Sequence, residues 1–343
     1  MSAHKHADRH SVGTKLARAA KIRLLDEQPY LAHQLRSYRL ENGLTIRLLQ
    51  DPSAPVVIYP TWFQVGSAHE QPGKTGLAHF LEHLMFLGTP KFEAGVLDEL
   101  LEDVGGDNNA ATWTDWTYYQ DDVPEGCLDV VMQLEADRMR GLSLEPDDVD
   151  AERQVVLSER RDRVDDDVDG VAGEQLWKHA FRKHAYGHPT LGWQRDIENL
   201  SVRDCRAFHA RWYAPSNATV VVAGAFDELA LLRAIRRNYQ DLRSTRVRRR
   251  QATEPAGQRA ERSVDLTLPA SAPRVFVGYR GPGYRSREWI VLRVLSEILF
   301  GGRGSRAYRS MVRETEVATS GWGDRPPCAE GCLFKDGAGG SAK

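Results

Sequence analysis

Gly76-Leu77-Ala78-His79-Phe80-Leu81-Glu82-His83-Leu84-Met85-Phe86 packs two histidines and a glutamate into an apolar segment with no internal Pro or Gly from Leu77 onward. Leu77, Phe80, Leu81, Leu84 and Phe86 recur at helical intervals, so the spacing predicts a helix over 77–87. At about 100° per residue, His79 and His83 stand only ~40° apart on one face. Two imidazoles so placed can close on one zinc ion, and Glu82, beside His83, can aim its carboxylate at a metal-bound water. The order is His-x-x-Glu-His, the inverse of the commoner His-Glu-x-x-His zinc helix. A lone histidine on an amphipathic helix is ordinarily a satisfied core-edge residue. The triplet points instead to a metal site.

A catalytic zinc takes three protein ligands and keeps one position for water. The best third candidate is Glu159, in the run Asp150-Ala151-Glu152-Arg153-Gln154-Val155-Val156-Leu157-Ser158-Glu159-Arg160. This segment also reads as a helix. Glu152 and Glu159 are seven residues apart, two turns along one face, so one can ligate while the other supports. A glutamate in so charged a run is ordinarily a solvated surface residue, and the pattern alone does not choose.

The zinc helix, the downstream Glu152/Glu159 pair and their spacing resemble the pitrilysin/insulinase family of inverted-motif zinc metallopeptidases, which includes bacterial two-domain members and the mitochondrial processing peptidases. Further matches lie on both sides. Asn42-Gly43-Leu44-Thr45 resembles the family's opening hairpin. Val65-Gly66-Ser67 and Phe86-Leu87-Gly88-Thr89 flank the zinc helix. Gly105-Gly106-Asp107-Asn108-Asn109-Ala110-Ala111-Thr112 resembles its edge strand. His188-Pro189, Tyr213-Ala214-Pro215-Ser216-Asn217 and Val220-Val221-Val222-Ala223-Gly224 resemble the end of its first domain. The resemblance implies His79, His83 and Glu159 as zinc ligands, Glu82 as general base and Glu152 as a carboxylate supporting the site. It implies a substrate-binding role for Asn109, Ala110 and Arg313. One Zn2+ per chain and a peptide substrate follow from it.

Zinc lowers the pKa of bound water to about 7 and polarises a carbonyl. A carboxylate beside it can take the proton and later hand it to the leaving amine. The reaction class implied is metal-assisted amide hydrolysis.

At 343 residues the chain is long for one core, and two domains are expected. A net charge of -2 offers nothing for nucleic acid. No apolar run is long enough for a membrane span, and the basic, polar segment 1–25 is no secretory signal. A cytoplasmic location is the expectation, with periplasm and mitochondrion left open. His4, His6 and His10 fall in an expected disordered tail over 1–30. Cys127 and Cys205 read as reduced core residues, and Cys328 and Cys332 lack a second Cys or His pair to complete a metal site.

The expected fold class is α+β: an antiparallel sheet with helices packed on one face, of the mitochondrial processing peptidase type, repeated in a second, truncated domain. Strands are expected at 44–49, 56–64, 109–120 and 219–223, the third as an exposed edge able to receive an extended peptide. Helices are expected at 77–87, 95–104, 127–140, 147–163, 171–179 and 202–213. The zinc-bearing domain is placed at 31–243 and a linker at 244–263, with Arg246-Val247-Arg248-Arg249-Arg250 as a solvated basic run. A partial second domain fills 264–343, with strands at 264–268 and 274–280, a helix at 288–299, and a frayed Gly-rich end from Gly337.

Two departures from the family pattern stand out. About half of a second domain can be read. Arg313 falls where active members carry a substrate-holding Arg, but Thr319 or Ser320 stands where they carry a Tyr. Some members divide these parts between two chains, so the resemblance implies a homo- or heterodimer with a related family member. The alternative to an autonomous enzyme is a non-catalytic or partner-dependent peptide-binding subunit.

Overall fold

A computed structural model describes residues 11–245, 247 and 257–340. In chain order these form α1 (Val12–Ala20), β1 (Arg23–Tyr30), β2 (His33–Arg39), β3 (Thr45–Gln50), β4 (Val56–Phe63), α2 (Leu77–Leu84), α3 (Val96–Val104), β5 (Asp107–Thr112) and β6 (Thr117–Pro124). There follow α4 (Leu128–Arg140), α5 (Pro146–Arg160), α6 (Val168–Ala180), α7 (Gln194–Glu198), α8 (Val202–Trp212), β7 (Ala218–Gly224) and α9 (Glu228–Tyr239). The last elements are β8 (Arg274–Gly281), α10 (Arg287–Phe300), β9 (Ala318–Asp324) and β10 (Cys332–Gly340). The described residues divide into two compact units, 11–66 with 77–153, 199–245 and 247, and 67–76 with 154–198 and 257–340. The division falls within the continuous helix α5, between Arg153 and Gln154.

The first unit is built on a seven-stranded sheet in the order β1-β2-β3-β7-β4-β6-β5. Its pairs are antiparallel except β3 with β7, which run parallel. The period of two is plain on β6, where Thr117, Tyr119, Asp121 and Val123 are buried and the residues between them are half-buried. Tyr38, Ile46, Leu48, Val57, Tyr59, Phe63, Val220 and Val222 of the sheet are buried, as are Phe80, Leu81 and Leu84 of α2, and Tyr38 and Tyr59 reach Glu228 and Tyr239 of α9 at 2.7 and 3.0 Å. After β4 the chain passes so close to the next loop that a Cβ on Gly66 would lie 2.0 Å from the Trp113 carbonyl oxygen. Only glycine fits there.

In the second unit β10 lies between β8 and β9, antiparallel to both. Phe181, Tyr186, Cys328, Cys332 and Leu333 form its core with Ala68. None of the four cysteines is in a disulfide, and Cys127 is half-buried rather than a core residue.

Several sequence expectations change. Residues 11–30, assigned to a disordered tail, form α1 and β1, and β1 pairs with β2 along its length. Ser11 caps α1 by accepting the Thr14 amide hydrogen at 3.1 Å. The other tail residues, with His4, His6 and His10, lie outside the described residues, as do Arg246 and Arg248–Arg250 of the basic run. The strand expected at 109–120 is two strands, β5 and β6, joined by a turn that the Trp113 amide closes onto the Trp116 carbonyl at 2.9 Å. That turn contains no Gly or Pro to announce it. Residues 264–268 carry the apolar alternation of a strand but pair with nothing among the described residues. Gly337–Gly340, expected to fray, complete β10. Gly337 is held against Trp322, whose ring carbons would stand 2.5 Å from any Cβ there, so glycine is a packing requirement in that strand.

Candidate metal centre

Gly76 sets the entry to α2. Its φ is +84°, and a Cβ would lie 2.5 Å from the Leu191 carbonyl oxygen, so both backbone angle and space demand glycine. The preceding segment is pinned by buried polar contacts. Glu70, whose side chain is fully buried, accepts the Gly76 amide hydrogen at 3.0 Å and a hydrogen from His188 Nε2 at 3.1 Å. Asp196 accepts from the Thr75 amide and hydroxyl at 3.1 and 2.7 Å. Burial alone would lower the His188 pKa, but the hydrogen bond and charge of Glu70 outweigh it and hold it above its ordinary value. The helix ends at Leu84, three residues earlier than its apolar pattern suggests. The Phe86 and Leu87 amides tighten onto the His83 and Leu84 carbonyls, and Gly88 turns the chain at φ +95°.

On this helix His79 and Glu82 are buried, and the His79 and His83 rings stand 4.7 Å apart between centroids at 65°. Helix α5 supplies the carboxylates. His83 Nδ1 and Glu152 Oε1 are 2.8 Å apart, so a proton donated from Nδ1 leaves the Nε2 lone pair for a metal. His79, His83 and Glu159 each offer one ligand atom, and these atoms all lie within 4.8 Å of one another. Two imidazole nitrogens and one carboxylate oxygen are a donor set suited to zinc with a fourth position for water. In space Glu159 joins the two histidines in this cluster, while Glu152 meets His83 Nδ1. Arg163 pairs with the other flank of Glu159 at 2.9 Å, and the Arg153 guanidinium lies over the Phe80 ring at 5.4 Å, tying α5 to α2.

Beneath the helix lies a layer to which residue patterns assigned no role. The Tyr119 and Tyr213 hydroxyls are 3.2 Å apart and buried. Burial, with the charge of Glu82 adding to it, keeps both phenols well above their ordinary pKa and therefore neutral. Deeper still, Arg138 pairs with Glu135 at 2.7 Å, its guanidinium 4.8 Å from the Phe86 ring centroid. Asp121 faces this pair, and burial followed by the charge of Glu135 raises its carboxyl well above the usual range. A buried polar position on an alternating strand is the one sequence signal that marks Asp121. Tyr119 and Tyr213 are ordinary core aromatics by pattern.

Asn109 and Ala110 lie on β5, the edge strand of the sheet, with Ala110 opposite Tyr119. The Asn109 Oδ1 accepts from the Ala110 amide at 2.8 Å. Arg313 is exposed, in the π-helical segment Tyr308–Glu314 of the second unit. Thr319 and Ser320 stand on β9.

Two family models match this chain, "Insulinase (Peptidase family M16)" over residues 45–193 and "Peptidase M16 inactive domain" over 199–324. The chain belongs to the M16 peptidase family. It is 29% identical to the zinc protease PqqE of Helicobacter pylori over 318 residues, 92% of this chain and 71% of that protein. It is 33% identical to an uncharacterized zinc protease of Mycobacterium tuberculosis over 84% of this chain and 66% of the relative. A probable mitochondrial-processing peptidase subunit beta of Arabidopsis thaliana is 27% identical over 78% of this chain and 51% of its own length. The chain thus spans about two thirds of the bacterial relatives and half of the plant one. Among solved structures, a protease from Helicobacter pylori superposes with a TM-score of 0.82 at 28% identity, covering 90% of this chain and 75% of that one. The α+β fold and the second, inactive-domain-like part expected from the sequence are those of the family. No helix among the described residues is long and apolar enough to cross a membrane.

Proposed function

We propose that this chain is a zinc-dependent endopeptidase that hydrolyses peptide bonds in extended or unfolded peptides. The observation that carries the reading is the convergence of His79, His83 and Glu159, with Glu82 buried on the same helix as the two histidines. These three residues would hold one zinc ion, which when bound lowers the pKa of a water and polarises the scissile carbonyl. Glu82 accepts the proton of the attacking water and returns it to the nitrogen of the leaving amine, so the carboxylate ends as it began. Glu152 fixes the ring of His83 and the nitrogen it presents. The free edge of β5 offers main-chain hydrogen bonds to an extended peptide through the segment containing Asn109 and Ala110.

A partner-dependent form of this activity is favoured by one observation: residues 319 and 320 on β9 are Thr and Ser, and Arg313 nearby in sequence has no tyrosine following it there. On this reading a related chain supplies the group that grips the substrate carbonyl. Residues 31–243, extended at the front by α1 and β1, serve as the zinc-bearing domain and 264–343 belong to a catalytically silent one.

The test is Glu82→Gln in the purified chain with its metal measured. Glutamine keeps the shape and loses the proton acceptor, so about one zinc per protomer should remain while hydrolysis of an unstructured peptide falls by ~10²–10⁴-fold. Retention of most activity would exclude Glu82 as the base.

A further inference from the structure

The residue that follows Glu159 is both charged and buried. Arg160 closes α5 and is 5% exposed. Its guanidinium is spread over three partners. Nη1 donates to the Gly192 carbonyl at 2.7 Å and to Glu174 Oε2 at 2.9 Å, and Nη2 donates to Asp165 Oδ1 at 3.1 Å. The guanidinium carbon lies 5.9 Å from the Trp193 ring centroid. Buried Nε has no hydrogen-bond partner among the described residues. A buried guanidinium with an unmet donor is a poor source of stability, because desolvation offsets much of what its pairs contribute. What it supplies is geometry. Only a planar fork can hold a carbonyl and two carboxylates of different segments at once.

The partners lie on both sides of the ligand's surroundings. Asp165 ends the π-helical turn Arg161–Asp165 that continues α5, so the Arg160–Asp165 pair spans that turn. Single π turns are rare and recur at functional sites. The Gly192 contact reaches much further along the chain. Gly192 has φ +85°, and a Cβ on it would lie 2.5 Å from both Cα and N of Gly76. Trp193 donates its amide hydrogen to the Thr75 hydroxyl at 2.9 Å, and that hydroxyl donates to Asp196 at 2.7 Å. Segments 75–76 and 191–193 therefore meet backbone to backbone, and Arg160 grips the second of them. Leu77, the next residue after this contact, begins α2, and His79 follows two residues later.

We propose that Arg160 is a positioning residue of the metal centre, setting the register of Glu159 against the residues that lead into α2. The other cation beside Glu159, Arg163, is 70% exposed and constrains the carboxylate little. The inference rests on the metal-centre reading above and adds to it the group that keeps the third ligand in place. A metal site needs its ligand atoms held to within about 0.5 Å. Loosening the clamp should therefore weaken metal binding while the fold of the metal-free chain survives.

The test uses Arg160→Lys, which keeps a cation near Glu174 and Asp165 but cannot hold all three partners with one ammonium. Thr75→Val is the second variant, removing the hydroxyl that joins Trp193 to Asp196. Zinc affinity of the full chain is measured by competition with a chromophoric chelator. The visible spectrum of added Co2+ reports the coordination, and circular dichroism of the metal-free chain reports the fold. Arg160→Lys should bind zinc about 10–100-fold more weakly and change the Co2+ spectrum, with the far-ultraviolet spectrum unaltered. Thr75→Val should shift affinity in the same direction. Because both act through one clamp, the double variant should lose less than the product of the single losses. Arg163→Gln should cost less than about threefold. Zinc affinity and a Co2+ spectrum unchanged in Arg160→Lys would overturn the proposal, as would fully multiplicative losses in the double variant. Should Arg160→Lys fail to fold, an unchanged zinc affinity in Thr75→Val would overturn it equally. A parent chain that binds no zinc would instead remove the metal centre itself, and this inference with it.

Discussion

Removing the Glu152 carboxylate should loosen zinc without removing a ligand. The contact is a single 2.8 Å hydrogen bond between His83 Nδ1 and Glu152 Oε1, with both side chains about four-fifths buried. In Glu152→Ala the imidazole loses its orientation, its preferred tautomer and the charge that makes Nε2 a better donor. Loss of such a partner lowers metal affinity by ~10–100-fold. That corresponds to about 1.4–2.7 kcal/mol at 1.4 kcal/mol per tenfold. Because the pair retains some solvent contact, the effect should fall near the lower figure. Glu152→Gln keeps an acceptor oxygen but not the charge, and a charge-assisted bond is roughly twice as strong as a neutral one, so about half the free energy should survive, a loss of roughly 3–10-fold. The assay is competition with a chromophoric zinc chelator, with circular dichroism confirming the fold. Equal affinities for wild type and Glu152→Ala would refute the argument that this bond orients a ligand.

Other outcomes are expected from the same structure. His79→Ala, His83→Ala and Glu159→Ala should each leave zinc content near zero after purification, against about one ion per protomer for the parent; retention of metal by Glu159→Ala would displace it as the third ligand. Asp121 has a folded pKa raised by burial and by Glu135, so its favourable contribution is complete below its unfolded value of about 3.9 and is lost as pH rises toward the folded value. Asp121→Asn should therefore gain thermal stability relative to the parent as pH increases from about 4 to 8, and a flat difference would contradict the assignment. His188 is the opposite chemical case with the same sign: its pairing with Glu70 stabilises fully below about 6.5 and fades at higher pH, so His188→Gln should cost more at pH 6 than at pH 9 in denaturant melts. Gly66→Ala places a methyl 2.0 Å from the Trp113 carbonyl oxygen and should destabilise by about 2–4 kcal/mol, visible as a lower urea midpoint.

By itself the sequence determined the family and the elements whose signal is local. The pattern of Leu77, Phe80, Leu81 and Leu84 forces a helix with one buried face, and that helix necessarily puts His79 and His83 on the same side. The apolar runs of β3, β4 and β7 and the cap-to-cap extent of α4, α8 and α10 were legible for the same reason: each is set by periodicity within a dozen or so residues. Tertiary structure decided whatever depends on a distant partner. Glu152 and Glu159 occupy equivalent faces of α5, and only the placement of that helix against α2 gives one to His83 Nδ1 and the other to the ligand cluster. The hydroxyl pair beneath Glu82 joins residues 94 apart in sequence. Gly337–Gly340 form a strand because β8 and β9 lie on either side to complete their hydrogen bonds, while 264–268, with the better strand composition, has no strand neighbour among the described residues. A strand is a relation between segments, so its local propensity is a permission and the sheet around it makes the decision.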